Sequence, residues 1–490
     1  MAAHVLARGV ETPDKVALAI LGLTGAEPWS YARLISAVRG TGTGLREAGL
    51  KPGDRVLIRL GNSVEFPIAY LAALTVGLVP VPTSSQLTET EVAGMIETVA
   101  PAAILLGEGI ACPETGLPVL KAAALEAMRA LPPAEWHMGD PERPGYIVFT
   151  SGTSGLSRAV VHAHRAIWAR QMMHDGWYGL HRMDRLLHAG AFNWTYTMGT
   201  GLMDPWSVGA TALIPEEGIE PHHLPLLLKR HNATIFAAAP GVYRKFLTRD
   251  RLHLPHLRHG LSAGEKLSDR IRAAWERATG TPIFEAYGLS ECSTFISAAP
   301  TCPAAPGALG RPQQGRRVAI LGHDGAPVPR GQEGTIAVHR SDPGLMLGYL
   351  GAPEATAARF QGDWFLTGDQ AHMDETGQIT YHGRADDMMN AGGYRVSPIE
   401  VENVLLSHPG ITACAVTAIT VKTDAQVIMA FYIAPAPLDE TDLQRHCATR
   451  LARYKCPRAF HHVAALPTGA NNKIIRRALG PVYEALHGQA

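Results

Sequence analysis

The chain has 490 residues, of which 46% are hydrophobic and 18% charged, and 44 Lys and Arg balance 44 Asp and Glu. This length predicts two to four compact units, because a single hydrophobic core rarely grows so large. A formal net charge of zero argues against attraction of the whole protein to nucleic acid or to a membrane surface. Neither is therefore expected as a partner.

Neither the cysteines nor the N-terminus indicates export. The six cysteines form no CxxC pair, which argues against a zinc site or a disulfide framework. The first residues lack the basic stretch and apolar core of a signal peptide. The longest apolar run, Ile68–Pro82, is too short to span a bilayer and predicts a buried helix leading into a strand. We expect a protein of the reducing cytoplasm.

Apolar strand-like runs alternate with helical patterns through about residue 300, which is the rhythm of doubly wound parallel sheets. One helix is predicted at Leu267–Ala278. The predicted strands are Arg55–Leu60, Ala102–Leu106, Tyr146–Thr150, Ala210–Pro215, Thr234–Ala238 and Pro282–Glu285. The fold class is therefore α/β.

From about Gly307 the pattern changes to short strands separated by turns, which predicts a small β-rich subdomain at about 307–384. The composition turns charged near 384–388, where we place a domain boundary. The N-terminal domain is thus 1–384, and a compact α+β domain occupies 388–490. The elements predicted here are strands Arg317–Leu321, Gly334–Val338, Gln378–His382, Ala413–Ala418 and Val427–Ile433, and helices Pro398–Ser407 and Leu438–Arg453.

A loop rich in Gly, Ser and Thr follows the predicted strand that ends at Thr150. Glycines let backbone N–H groups approach a phosphate closely, and hydroxyl groups add donors. The alternative is a flexible linker, although linkers seldom follow a buried strand directly. The loop is not a Walker A motif. The candidate phosphate-binding residues are Thr150, Ser151, Gly152, Thr153, Ser154 and Gly155.

The segment YIVFTSGTSGLSRA resembles the signature loop of the adenylate-forming superfamily, roughly TSGTTGxPKG. That superfamily contains acyl-CoA synthetases, luciferases and peptide-synthetase adenylation domains. The chain departs from the pattern at Ser157, Arg158 and Ala159, and Arg158 keeps the positive charge with a different geometry. Five further segments match in order, so the resemblance covers nearly the whole chain. It implies ATP, Mg²⁺ and coenzyme A as cofactors.

The segment EAYGLSE at Glu285–Glu291 is similar to the family's YGxTE motif. By this resemblance Tyr287 stacks on adenine, Ser290 meets the α-phosphate, and Glu291 helps to hold Mg²⁺, a hard cation that prefers oxygen ligands. The alternative is that Ser290 or Glu291 only caps the N-terminus of a helix. The remaining residues that the resemblance assigns to the ATP site here are Gly264, Glu265, Lys266, Glu285 and Ala286.

Two more segments resemble the ribose site and the hinge of the family. Asp369, in WFLTGD, offers two acceptor oxygens to the ribose hydroxyls, although an Asp after Gly is also common in turns. In GRADDMMNAGGYRVSPIE, Arg384 reaches the ribose, Arg395 approaches the phosphates, and Asp386 is the hinge within 385–387. The alternative is a solvated charged linker. The resemblance makes the C-terminal domain mobile.

The same stretch contains Gly392 and Gly393, which by resemblance flank the tunnel for the pantetheine arm of coenzyme A. Asn390 replaces a common Lys, as in the medium-chain acyl-CoA synthetase branch. In LPTGANNKIIRR, Lys473 has the spacing of the catalytic lysine, and Asn472 replaces the usual Gly. An Asn tolerates a left-handed backbone, so the turn can persist. A merely solvated lysine is the alternative.

The segment Ala189–Gly209 resembles the acyl-pocket helix of medium-chain acyl-CoA synthetases, although ordinary core packing is the alternative for each residue. A Gly at 288, where acetate-specific members have Trp, leaves room for a longer or cyclic acid. No Lys or Arg within the segment is available for a second carboxylate. The candidate pocket residues are Trp194, Met198, Ala238, Gly264 and Gly288.

The resemblance implies an AMP-forming acid–CoA ligase for a medium-chain aliphatic or benzoate-like acid. The alternatives are an adenylation enzyme that loads a carrier protein or an amine, and a non-catalytic ATP- or acyl-binding paralogue. The oligomeric state stays open, with a homodimer among the alternatives. We interpret three close histidine pairs as surface or core residues without a metal, namely His162/His164, His222/His223 and His461/His462.

Overall fold

The computed structural model describes residues 1–150, 158–247, 251–391, 394–422, 425–468 and 474–487. Its contacts divide the chain into two compact units. The larger unit consists of Met1–Leu267, Ile271–Arg317 and His339–Asp363, and the smaller of Ser268–Arg270, Val318–Val338 and Trp364–Ala490. The boundary at 384–388 and the hinge stay predictions.

The α-helices and strands alternate along most of the chain. The helices are α1 (Ala2–Leu6), α2 (Tyr31–Glu47), α3 (Glu65–Thr75), α4 (Glu89–Val99), α5 (Ala122–Met128), α6 (Ala166–Met173), α7 (Asp204–Ser207), α8 (Leu224–Arg230), α9 (Pro240–Phe246), α10 (Asp269–Thr279), α11 (Pro353–Ala357), α12 (Pro398–Leu406), α13 (Glu440–Ala448) and α14 (Leu479–His487). The strands are β1 (Val16–Leu21), β2 (Ala26–Ser30), β3 (Arg55–Arg59), β4 (Val79–Pro82), β5 (Ala103–Leu106), β6 (Val119–Lys121), β7 (Pro144–Phe149), β8 (Ala159–Ala163), β9 (Arg185–His188), β10 (Thr211–Pro215), β11 (Ile235–Ala238), β12 (His259–Ala263), β13 (Ile283–Leu289), β14 (Ser293–Ser297), β15 (Arg311–Pro312), β16 (Val318–Leu321), β17 (Glu333–His339), β18 (Gly348–Tyr349), β19 (Phe360–Gln361), β20 (Trp364–Met373), β21 (Ile379–Arg384), β22 (Met389–Ala391), β23 (Tyr394–Val396), β24 (Ala413–Lys422), β25 (Ala425–Ile433) and β26 (Ala459–His462).

A nine-stranded sheet forms the centre of the larger unit, in the order β15-β14-β13-β12-β11-β9-β10-β1-β2. The strands from β13 to β1 are parallel, and antiparallel strands close both edges. The chain runs from β9 outward to β10 and then returns to β11 on the other side of β9. This reversal between β9 and β11 is a topological switch point, where open α/β sheets bind ligands beyond the carboxyl ends of their strands.

Both faces of this sheet are covered by apolar side chains, as the near-continuous hydrophobic runs of its parallel strands require. On one face, helices α8, α9 and α10 pack their Leu, Tyr, Phe and Trp residues against β9, β11 and β13. On the other face, Trp177 and Tyr178, from a π-helical turn after α6, pack with Tyr196 on β11, β12 and β13. The sheet is therefore buried between two layers, as the α/β prediction requires.

Two smaller sheets complete the larger unit. The first is parallel, in the order β4-β3-β5-β6, and the second is antiparallel, in the order β18-β8-β7. They share an apolar core in which Ile147 and Val161 of the antiparallel sheet pack with Leu57, Val81 and Ile104 of the parallel one. Residues 151–157 separate β7 from β8 in the sequence.

The smaller unit contains antiparallel pairs β16–β17, β20–β21 and β22–β23, and a sheet of order β24-β25-β26. Helices α12 and α13 cover one face of that last sheet with Val401, Leu405 and Leu443. Helix α12 begins after Ser397, whose hydroxyl accepts from the backbone N–H of Glu400. This arrangement agrees with the predicted α+β tail.

The sequence predicted the positions of these elements well, and the α/β fold class is confirmed. Ile68–Pro82 is a buried helix followed by a strand, as expected. The helix predicted at Leu438–Arg453 is shorter, because α13 begins after the capping Asp439 and ends before Thr449. The Thr449 hydroxyl donates to the carbonyl groups of Arg445 and His446, where it competes with continuation of the helix.

In the described part of the chain, helices that combine the length and the apolar character needed to cross a membrane are absent. All six cysteines lie in described segments and are free thiols.

Candidate active site

The candidate residues of the larger unit follow the carboxyl ends of neighbouring parallel strands. Trp194 and Met198 come after β9, Ala238 ends β11, Gly264 follows β12, and Ser290 follows β13. Because β9, β11, β12 and β13 are parallel and adjacent, their carboxyl ends share one edge of the sheet. The structure thus brings the predicted acid pocket and the predicted phosphate site to the same edge.

The ends of the glycine-rich loop are held together by hydrogen bonds. The Thr150 N–H donates to the Arg158 carbonyl group at 2.9 Å, and the Arg158 N–H donates to Thr150 Oγ1 at 3.1 Å. Ala159 is the first residue of β8 and is 2% exposed, so this departure from the family pattern meets a packing requirement. The predicted phosphate ligands Ser151, Gly152, Thr153, Ser154 and Gly155 and the departure at Ser157 lie outside the described residues.

Glu291 is connected to Arg158 through a tyrosine. The Tyr349 hydroxyl donates to Glu291 Oε1 at 2.7 Å, and the Arg158 guanidinium lies 5.0 Å from the Tyr349 ring centroid. Burial, reinforced by the Glu291 carboxylate, raises the pKa of Tyr349 to about 12. Tyr349 therefore remains a donor at neutral pH. Sequence reasoning missed this residue, because an isolated tyrosine in GLMLGYL carries no recognisable signal.

The carbonyl group of Ser290 accepts a hydrogen bond from Nε2 of His162 at 2.7 Å. The His162 ring is buried and stacks on Tyr146, with 4.8 Å between the centroids and 14° between the ring planes. Burial lowers the pKa of His162 to about 4, so the ring is neutral at pH 7. His162 thus anchors the turn that contains the predicted phosphate and metal residues.

Glu285 and the loop after β12 are joined in one polar cluster. The Glu285 carboxylate is 2% exposed, accepts from the Leu267 N–H at 2.8 Å and from Arg272 at 3.0 Å, and lies 3.9 Å from Lys266. The carboxylate therefore fixes the start of the segment leading to α10, whatever its contact with a nucleotide. Gly264 has a φ of +97°, a left-handed conformation that favours glycine.

Beyond this cluster, the structure places Ala286 and Tyr287 on β13 and Glu265 in the loop after β12. The Tyr287 ring meets Phe295 edge to face, with centroids 5.4 Å apart. Tyr287 is half-buried. Its predicted contact with adenine stays a prediction.

The predicted acid pocket contains a π-helix at Thr197–Met203, with Met198 buried. Short π-helical segments often occur at functional sites. Trp194 lies one turn earlier and is half-buried, and its carbonyl group accepts from the Met198 N–H at 2.8 Å. Tyr196 donates to the Leu261 carbonyl group at 3.0 Å, which fastens this segment to β12.

The structure shows a packing reason for a glycine at position 288, and the sequence did not reveal it. A Cβ atom built at this position would lie 2.1 Å from the Ser293 carbonyl oxygen and 2.5 Å from Thr294 Cα. Close approach of β14 thus forbids any side chain in this backbone, so a glycine here is not by itself a sign of pocket size. Its assignment to the acid pocket stays a prediction.

The residues of the predicted ribose site lie in the smaller unit. Asp369 and Arg384 face each other across β20 and β21, with 3.8 Å between Asp369 Oδ1 and Arg384 Nε. The Tyr381 hydroxyl donates to Asp369 Oδ1 at 3.2 Å. Arg395 belongs to β23, and Asp386 lies in an exposed turn at Ala385–Asp387. Gly392, Gly393, Asn472 and Lys473 lie outside the described residues.

The chain matches two protein-family models. Residues 6–350 match the model of the AMP-binding enzyme, and residues 400–473 match the model of the AMP-binding enzyme C-terminal domain. The chain belongs to the AMP-binding enzyme family. The predicted membership of the adenylate-forming superfamily, as an acid–CoA ligase that uses ATP and coenzyme A, is thereby confirmed.

Relatives in this family include CoA ligases for different acids. The chain is 30% identical to benzoate–CoA ligase of Thauera aromatica, across 92% of this chain and 90% of that protein. It is 30% identical to the human mitochondrial acyl-coenzyme A synthetase ACSM2A, across 90% of this chain and 82% of that protein. The structure also resembles an anthranilate CoA ligase solved with anthranoyl-AMP, with TM-score 0.89, 25% identity, and coverage of 100% and 98% of the two chains.

The AMP-binding family implies a Mg²⁺ ion, and Glu291 fits it. Hydrogen bonds to this carboxylate from the described residues involve Oε1, so Oε2 can face a cation. Carboxylate oxygens suit Mg²⁺, which is usually bound by one or two carboxylates together with substrate phosphates. Glu291 would therefore hold the ion jointly with the phosphates of ATP.

We expect acidification to destabilise the larger unit through His162. An unfolded histidine titrates near pH 6.5, whereas folded His162 titrates at about 4. Between these values the unfolded chain binds the extra proton, so the free energy of unfolding falls by about 1.4 kcal/mol per pH unit as the pH decreases. Urea unfolding at pH 6.5 and 5 should show a shallower pH dependence for His162→Gln than for wild type. Equal slopes would contradict the assignment.

We expect Tyr349→Phe to weaken the binding of Mg·ATP about tenfold, because the Glu291 carboxylate loses the donor that orients it. Calorimetric titration with ATP at graded Mg²⁺ concentrations measures this change. The matched control is Tyr31→Phe, which removes a buried hydroxyl bonded to the Ala210 carbonyl group. An unchanged Mg²⁺ dependence in Tyr349→Phe would show that the tyrosine does not position the carboxylate.

Proposed function

We propose that the chain couples a medium-chain aliphatic or benzoate-like acid to coenzyme A through an acyl-adenylate. The observation that carries this proposal is the convergence of the segment Trp194–Met203 and the turn Ser290–Glu291 on one edge of the parallel sheet. A carboxylate held by the first would lie beside an α-phosphate held by the second. The match to benzoate- and acyl-CoA ligases supports the same acid class.

In the first step a carboxylate oxygen attacks the α-phosphorus of ATP, and pyrophosphate leaves. Negative charge accumulates on the phosphate oxygens, so fixed positive charge and donors stabilise the transition state without a general base. Lys473, the loop donors and the Ser290 hydroxyl would supply these. Mg²⁺ held by Glu291 would neutralise charge on the phosphates. In the second step the CoA thiol attacks the acyl carbon, and AMP leaves.

The charge around the predicted acid pocket supports an acid with a neutral tail. In the described part of the chain, the Arg170 guanidinium lies against the backbone of Gly199 in this segment. It is paired with the Asp204 carboxylate at 2.9 and 2.5 Å, so its charge is already neutralised. Among the described residues, Arg170 thus offers no unpaired charge to a second carboxylate, and dicarboxylic acids fit poorly.

Six free thiols and the acid–CoA ligase chemistry fit a reducing compartment, and we propose the cytoplasm. Two alternatives remain distinguishable by assay. An enzyme that loads a carrier protein would show ATP–pyrophosphate exchange without consuming the thiol of free coenzyme A. A non-catalytic paralogue would bind ATP without exchange.

The test is ATP–pyrophosphate exchange over a panel of aliphatic and aromatic acids, followed by a DTNB assay for loss of the CoA thiol. We expect exchange with a medium-chain aliphatic acid or a benzoate-like acid. Lys473→Ala should lower the exchange rate by roughly 10²–10³ because it removes fixed positive charge from the transition state. The absence of exchange with every acid of the panel at saturating ATP would contradict an adenylating function. Exchange without loss of the CoA thiol would contradict coenzyme A as the acceptor.

The predicted hinge calls for a separate measurement. Asp386 lies in an exposed 3₁₀ turn between β21 and β22, where a proline would restrict backbone rotation. If the C-terminal domain rotates between the two half-reactions, Asp386→Pro should slow thioester formation far more than adenylation. Single-turnover measurements of each half-reaction decide this, with Asp386→Ala as the control. Equal losses in both would contradict the hinge assignment.

A further inference from the structure

Arg170 is a buried arginine on α6 that uses all three guanidinium nitrogens. Nε and Nη2 donate to the two carboxylate oxygens of Asp204 at 2.9 and 2.5 Å. Nη1 donates to the Ser293 hydroxyl at 2.9 Å. Asp204 also accepts from the Tyr178 hydroxyl at 2.8 Å. One guanidinium therefore connects Asp204, the first residue of α7, with Ser293, the first residue of β14.

Ser293 occupies a strained position beside the predicted metal carboxylate. Its φ is +60°, which is uncommon for a residue other than glycine and persists only where its surroundings impose it. Two such constraints are present. The Ser293 backbone packs against Gly288, and its hydroxyl is held by Arg170. The residues between β13 and β14, which include Ser290 and Glu291, are thus held at both ends.

The same guanidinium also contacts the π-helix. A Cβ atom built on Gly199 would lie 1.9 Å from Arg170 Nη2, so the backbone of the helix touches the arginine directly. Met198, a predicted pocket residue, is the neighbouring residue. Thr200 on the same helix bonds the Tyr178 hydroxyl at 2.9 Å. Arg170 therefore lies between the segment predicted to hold the acid and the turn predicted to hold the phosphate.

Stability alone is a weak reason for such a pair. Removing two charges from water is costly, and apolar residues of similar volume often replace a buried ion pair without loss of stability. An ion pair does, however, impose one geometry, because a planar guanidinium bonds a carboxylate in a fixed orientation. The three directed bonds thus give this place a fixed geometry that apolar packing would not impose.

We propose that Arg170 is a positioning residue that sets the turn Ser290–Glu291 relative to the acid-binding segment, through its separate bonds to Ser293 and Asp204. This inference rests on the proposed function of the site. Arg170 does not contact substrate in this role. Its bond to Ser293 fixes the position of the Glu291 carboxylate. Its bonds to Asp204 fix the position of the segment that binds the substrate acid.

Ser293→Ala is the sharpest test, because it removes the bond to the turn and leaves the ion pair intact. We expect about tenfold weaker Mg·ATP binding by calorimetry, a similar loss in exchange kcat, and an unchanged KM for the acid. The melting temperature should fall modestly, because Nη1 of the buried Arg170 loses its acceptor. Unchanged Mg·ATP affinity together with unchanged kcat would overturn the proposal.

The double variant Arg170→Met/Asp204→Leu tests the other half, because it replaces the pair with apolar groups and avoids a lone buried charge. We expect a folded protein with raised KM for the acid and weakened Mg·ATP binding. Arg170→Lys keeps the charge, but an ammonium group cannot bond Asp204 and Ser293 with the geometry of a planar guanidinium. This variant should therefore reach the wild-type value neither for the acid KM nor for the Mg·ATP affinity. Full restoration by Lys would show that charge alone matters.

The control for a purely structural effect is Arg59→Met. Arg59 is also buried, lies in β3 of another sheet, and donates to the carbonyl groups of Ala111 and Leu87. It should lower the melting temperature without changing Mg·ATP affinity or the acid KM. Equal changes in both parameters for this control and for the double variant would overturn the positioning role. If wild type shows no exchange with any acid, the proposed function fails, whereas calorimetry with Mg·ATP still decides the role of Arg170.

Discussion

The candidate site depends on one constraint, which is that neighbouring parallel strands must end at the same edge of their sheet. The segments after β9, β12 and β13 are far apart in the chain, but hydrogen bonding between strands in parallel register brings them together. The reversal of strand order between β9 and β11 opens a crevice at that edge. The predicted acid-binding segment and the predicted phosphate-binding turn can therefore face each other without any long loop to carry them.

The turn after β13 is held by side chains from several other elements. His162 bonds its Ser290 carbonyl group, Tyr349 bonds its Glu291 carboxylate, and Arg170 bonds Ser293 at its far end. Catalysis of phosphoryl chemistry relies on groups that are already oriented before charge develops. A turn fixed from several sides meets this need if it binds a nucleotide as predicted, because little reorganisation then remains.

The sequence predicted the α/β class, most strands and the family, because apolar periodicity and short motifs are local properties. It did not predict the reason for Gly288, because the close approach of β14 is a contact between strands. It did not show the packing reason for the departure at Ala159, which is that the residue starts a buried strand. The helix predicted at Leu438–Arg453 was too long, because a threonine hydroxyl competing for helix carbonyl groups is not visible in periodicity.

The sequence by itself determined which functional groups are available for the reaction, because the motif residues and their spacing identify those groups. Only the tertiary structure decided how those groups are supported. Tyr349, His162 and Arg170 belong to no motif, yet they bond the turn that contains Glu291. Contacts between residues separated by 58 to 128 positions depend on how β8, β13 and β18 pack and where α6 lies, and no local pattern encodes that packing.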